Sequence, residues 1–182
     1  MRNSNVKNII LGGLFIALGI VIPIAFHSIG VGSLLLPMHI PVLLSGFITG
    51  PVTGGFVGVL TPVLSSLLTG MPPLMPPKAQ MMAAELAVYG FLSGYIYHIK
   101  RLHVVISLII AMLGGRIVYG VLAAYVLPLF GFDKIPVFYP ITIGLITSLP
   151  GIIIQLLLIP TIIILLERRF RTAGSRRRRL WN

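Results

Sequence analysis

PITIGLITSLPGIIIQLLLIPTIIILLERRFRTAGSRRRR, residues 140–179, is a mostly apolar run that ends in a cluster of arginines. A hydrocarbon core roughly 30 Å thick needs about 20 apolar residues as a helix, so 140–166 is long enough to cross a bilayer. Pro150-Gly151 and Pro160 are expected to bend that helix. Seven of the fourteen Lys and Arg residues lie in the last fifteen positions, at Arg168, Arg169, Arg171 and 176–179. Cytoplasmic flanks of membrane helices carry such an excess, which makes 167–182 a basic cytoplasmic tail. Its arginines are solvated charge, or they meet anionic lipid or a partner subunit.

Working outward, apolar runs cut by Gly, Pro and charge give five more spans, at 8–27, 37–49, 52–69, 79–98 and 103–127. The second is short for a full crossing. Arg2 and Lys7 before the first run mimic a signal peptide, but the run is long and lacks an evident small-residue cleavage site, so it reads as a retained helix. An even number of spans puts both ends on one side. That side carries eleven basic residues, including Lys100 and Arg101, against Lys78 and Lys134 on the other, with Arg116 inside a span. The expected fold is therefore an all-α integral membrane bundle of six transmembrane helices in a single domain, with cytoplasmic N and C termini.

Composition agrees. The chain has 182 residues, 57% hydrophobic and 9% charged, and a mean hydropathy of +1.04, far from a water-soluble domain. There is no Cys, which excludes disulfides and thiolate chemistry. The net charge of +11 reads as membrane-flank charge and not as a nucleic-acid surface, because half of the basic residues crowd the tail. No Gly-rich phosphate motif precedes a Lys, so any ATP-driven step belongs to another subunit. No donor spacing suggests a metal, and no cofactor is implied. Glu85 is the only acidic residue within a span, too little for a hydrolytic constellation.

Charged residues within spans cost about 2.5–3.5 kcal/mol each and normally face a cavity or a partner. Glu85 lies about 9 Å inside the fourth span and Arg116 about 15 Å below the outer end of the fifth, at 1.5 Å per residue. They form a packing ion pair, or one or both also bind a polar solute. Glu85 has Met81, Met82 and Tyr89 one turn away, and Arg116 shares a face with Met112 and Tyr119. Such neighbours suit a flat or partly apolar ligand, and also ordinary packing. Gln80 at the rim and Gln155 in the sixth span add neutral polar groups, for a solute or for interhelical bonds. His39, within LPMHIP at 36–41, is a capping residue or a ligand contact, its backbone held by Pro37 and Pro41. GMPPLMPP at 70–77 is a stiff rim or a plain linker. Gly46, Gly50, Gly54 and Gly58 mark a close turn between the second and third helices. Gly13 with Ala17 marks internal packing or a surface for another membrane protein.

LPMHIPVLLSGFITGP at 36–51, SSLLTGMPP at 65–73, MAAELAVYGFLSG at 82–94, GGRIVYG at 114–120 and LPGIIIQLLLIP at 149–160 together resemble the substrate-binding (S) components of energy-coupling factor (ECF) vitamin transporters. The resemblance covers nearly the whole chain. It implies a multi-pass subunit of a prokaryotic plasma membrane that captures a small water-soluble vitamin from outside, in a pocket closed by outer loops. It also implies docking on a transmembrane coupling subunit attached to two ATPases. The family's Ala-xxx-Ala docking motif on the first helix appears here as Gly13 and Ala17. A small carboxylated vitamin such as nicotinate or pantothenate is expected, since an unpaired Arg116 would suit its carboxylate; a free Glu85 would instead favour a cationic or amino-bearing one. Binding residues on this reading are His39, Gln80, Glu85, Tyr89, Arg116, Tyr119 and Gln155. The alternatives are a self-sufficient small-solute carrier or channel, a membrane enzyme, and an assembly protein without a ligand.

Overall fold

Apolar runs broken by glycine fold into six α-helices among the described residues of the computed structural model. These residues are 2–28, 35–73, 78–131, 136, 146 and 148–179, with no side chain described before 6, at 27–28, or after 169. The helices are α1 (Arg2–Ser28), α2 (His39–Thr49), α3 (Pro51–Thr69), α4 (Lys78–Gly94), α5 (Val104–Val121) and α6 (Leu149–Arg179). A π turn, Tyr95–Ile99, extends α4. A second π turn, Leu122–Val126, and a 3-10 turn, Leu127–Phe130, extend α5. There is no strand among the described residues.

Four stretches, Val6–Phe26, Pro51–Thr69, Val104–Phe130 and Leu149–Arg169, are long and apolar enough to cross a membrane. Their outer faces carry Ile9, Ile10, Phe56, Leu68, Ile117 and Leu157, all exposed. Such continuous apolar surface belongs in lipid, and the chain is a multi-pass membrane protein. Two expected spans are exceptions: the fourth, whose helix α4 has 17 residues, is not among these stretches, and neither is the second. The second is an eleven-residue helix, below the length of a crossing, and nearly all its residues are buried. A helix that is apolar all round belongs inside a bundle.

α4 packs against α2, α3 and α5, while α1 lies along α2 and α3, and α6 touches α2 and α5. Glycine makes the central contacts. A methyl group on Gly54 would sit 2.6 Å from the Gly46 Cα, and one on Gly94 would sit 2.6 Å from the Pro51 nitrogen. Gly90 meets the backbone of Gly54 and Gly58 meets that of Leu86. The spaced glycines therefore do more than form the expected turn between α2 and α3. They bring both helices into backbone contact with α4, whose Gly90 and Gly94 complete the set.

One end of the bundle gathers Asn8, whose side-chain amide donates to Thr49 O at 3.2 Å, and His98, whose Nε2 lies 2.8 Å from Phe47 O. Tyr97 bonds Glu167 at this end. The start of α1 and the Glu167 region of α6 thus share it.

The sixth expected span differs at both limits. Residues 140–145 and 147 lie outside the described residues, and the helix begins at Leu149 and runs unbroken to Arg179, through most of the expected tail. Pro150 is the second residue of that helix, where its missing N–H removes no helical bond, so it starts α6 instead of bending it.

Gly90→Leu is expected to lower the unfolding temperature of the detergent-solubilised chain sharply, because overpacking costs about 1–3 kcal/mol or more. Gly13→Leu is expected to leave it unchanged, since nothing lies within 4 Å of a methyl group there. Equal unfolding temperatures for the two variants would contradict the glycine contact.

Candidate ligand cavity and the ionic network beside it

The bundle end opposite Asn8 and Glu167 holds a cavity of about 550 Å³. It is built from Pro23 and Ile24 of α1, the 36–39 turn, Ser65 and Thr69 of α3, the 70–73 segment, and Met82 of α4. Leu36 has φ 47°, in the left-handed region, and its carbonyl accepts from the His39 N–H at 3.0 Å. This turn starts α2 and carries the His39 side chain inward, where it is 3% exposed.

The opposite wall is tied down by hydroxyl groups. Gly70, with φ 71°, ends α3 in the left-handed conformation that glycine adopts freely. Ser65 Oγ donates to Met71 O at 2.7 Å and Ser66 Oγ to Pro72 O at 2.5 Å. Thr69 Oγ1 donates to Ser65 O at 2.8 Å and accepts from the Met71 N–H at 3.2 Å. The described part of the proline-rich segment is a pinned rim, and 74–77 lie outside the described residues.

Next to the cavity lies a chain of polar contacts across three helices. Arg116 Nη1 is 3.4 Å from Glu85 Oε1, and Arg116 Nη2 donates to Ser148 Oγ at 3.2 Å. Tyr89 OH donates to the same Glu85 Oε1 at 2.9 Å. Gly115 lets the Tyr89 ring lie directly on α5, since a methyl group there would overlap it. The His39 ring packs on Tyr89 with centroids 5.3 Å apart. An ion pair taken out of water holds only when its remaining hydrogen-bonding groups are met, and Tyr89 and Ser148 supply those partners here.

The expected site residues separate into groups. His39, Tyr89, Glu85 and Arg116 come together, but only His39 is among the residues that line the cavity. Tyr119 is half-buried beside Met81, Ala123 and Leu127. Gln80 is exposed. Gln155 is fully buried on α6, one turn beyond the half-buried Ile152, with neither its amide N nor its O hydrogen-bonded among the described residues. Among the described residues it therefore makes no interhelical hydrogen bond. The two ring nitrogens of His39 are likewise buried without a partner. Buried polar atoms are nearly always paired, so both side chains are exceptions, and of the two only His39 lines the cavity. Sequence reading missed Ser65, Ser66 and Thr69, whose signal was three hydroxyls within five residues before a Gly-Met-Pro-Pro stretch. Gly13 and Ala17 are exposed on the outer face of α1, so they are not internal packing. Among the described residues, no three His, Cys, Asp or Glu side chains gather as a metal site.

A family model described as "ECF transporter, substrate-specific component" matches residues 7–163. No curated protein and no solved structure matches the chain.

Arg116→Ala is expected to destabilise the solubilised chain by about 3–5 kcal/mol, the cost of leaving a buried carboxylate unpaired. Adding Glu85→Gln should recover much of that loss in a thermal unfolding assay, because an amide oxygen still accepts from Tyr89. A double variant no more stable than the single one would show that the pair does not hold the helices.

Proposed function

The chain belongs to the family of ECF transporter substrate-specific components, and from that premise we propose that it captures a small water-soluble vitamin at the outer membrane face and passes it inward with the help of other subunits. Members of this family are substrate-binding membrane subunits, not enzymes. The observation that carries the reading is the cavity of about 550 Å³ with the buried, unpartnered His39 imidazole in its wall. A volume of this order suits a compact organic solute. The excess of Lys and Arg at the end of the bundle that holds the start of α1 supports a cytoplasmic assignment for that end, which turns the cavity outward.

Six crossings, with α2 shielded inside the bundle, are the topology that fits both the charge distribution and the shared end of α1 and α6. The exposed small residues Gly13 and Ala17 support docking of a transmembrane coupling subunit on α1, because they let another helix approach closely. Two ATPases attached to that subunit would supply the energy, as no phosphate-binding motif is present in this chain.

Reconstitution tests the reading. Liposomes holding this chain alone should bind a vitamin with little uptake, and uptake should appear when the coupling subunit, the ATPases and ATP are added. Uptake by the chain alone would mean a self-sufficient carrier or channel. In the complete system, Gly13→Leu is expected to keep vitamin binding and reduce uptake several-fold through lost docking. Undiminished energised uptake would remove Gly13 from the interface.

A further inference from the structure

We infer that the cavity selects an uncharged, hydrogen-bond-donating vitamin and discriminates against the same skeleton bearing a free carboxylate; this rests on the solute-binding role proposed above. The lining contains no charged side chain among the described residues. The nearest cation in the polar network, Arg116, is committed, with Nη1 facing Glu85 at 3.4 Å and Nη2 donating to Ser148 at 3.2 Å. The carboxylate and the guanidinium neutralise each other, and neither lines the cavity.

Donor accounting points the same way. A carboxylate only accepts hydrogen bonds and needs donors around it. The hydroxyl protons of Ser65 and Thr69 are already given to Met71 O and Ser65 O. The backbone N–H groups of His39, Gly70 and Met71 are given to Leu36 O, Ser66 O and Thr69 Oγ1, which leaves those of Leu36 and Met38 as the backbone donors of the 36–39 turn. Pro37, Pro72 and Pro73 have no N–H to offer. What the hydroxyl and carbonyl groups retain is lone pairs, set in a mostly apolar wall. A neutral His39 ring adds one donor and one acceptor, both unmatched by protein.

An oxyanion placed here would lose its water shell and meet no cationic side chain among the described lining residues, which is unfavourable. An amide, an amino-substituted ring or an alcohol supplies the missing donors and accepts from His39. The thioethers of Met38, Met71 and Met82 give such a ring a polarisable, adaptable surface.

The test is calorimetry on the full chain in detergent near neutral pH, with matched pairs and controls. The pairs are nicotinamide with nicotinate, pantothenol with pantothenate, and biotinamide with biotin; riboflavin and pyridoxine are uncharged controls and thiamine a cationic one. The tightest binder is expected to be uncharged, and any carboxylate partner should bind about tenfold or more weakly, in line with burial of an undercompensated charge. Glu85→Gln, which releases Arg116, should narrow that gap; the wild-type comparison stands even if this variant does not fold. Tightest binding by a carboxylate or by thiamine overturns the inference while leaving vitamin capture intact. Binding of none of these compounds overturns vitamin capture and the inference together.

Discussion

Glu85 and Arg116 face each other at 3.4 Å, both buried within the helix bundle. Everything around them is arranged to make that tolerable. Tyr89, one turn along α4, donates to the carboxylate, and Ser148, at the start of α6, takes the second guanidinium nitrogen. One pair thereby links α4, α5 and α6, and the His39 ring, packed on Tyr89, brings in α2. The same pairing has a chemical consequence. Charges spent on each other inside the bundle do not reach the described lining of the cavity nearby, which is mostly apolar and takes its polarity from hydroxyls, carbonyls and the His39 imidazole.

Such a network needs helices that approach very closely, and glycine provides the room. Gly46 and Gly54 meet Gly90 backbone to backbone, Gly94 meets Pro51, and Gly115 admits the Tyr89 ring. In a bilayer there is little hydrophobic force between helices, so close van der Waals contact carries much of their association. The glycine face of α4 and its Glu85–Tyr89 turn are therefore parts of one arrangement: the first seats the helix and the second fixes its rotation. α2 is short because it is enclosed by these contacts and by α1 and α6, and need not reach both lipid interfaces itself.

Much of this was legible in the sequence where a single strong physical term dominates. The two in-span charges had to find partners, and they found each other. Tyr89 at four residues from Glu85 had to share its helix face, and it bonds the carboxylate. The four spaced glycines signalled close packing, but their partners Gly90 and Gly94 lie forty or so residues away and no local pattern joins them. The hydroxyl ties from Ser65, Ser66 and Thr69 to the rim depend on how the chain turns after Gly70, which composition does not encode. The helix through the arginine tail was equally hidden, because charge marks a membrane flank without saying whether the flank is helical. Burial and span depth place Glu85, Arg116 and His39 toward one side of the bundle, but only the fold separates His39, which lines the cavity, from Glu85 and Arg116, which do not.

The central claim is that a solute sits in the cavity beside His39, above a network that is already neutral. Native mass spectrometry of the chain released from detergent tests it most directly, comparing wild type with His39→Phe, a substitution that keeps a ring against Tyr89 and removes both nitrogens. The account predicts one small molecule per wild-type chain and its loss from the variant, with both proteins folded. Equal occupancy in the two proteins, or none in either after exposure to the vitamins, would contradict it.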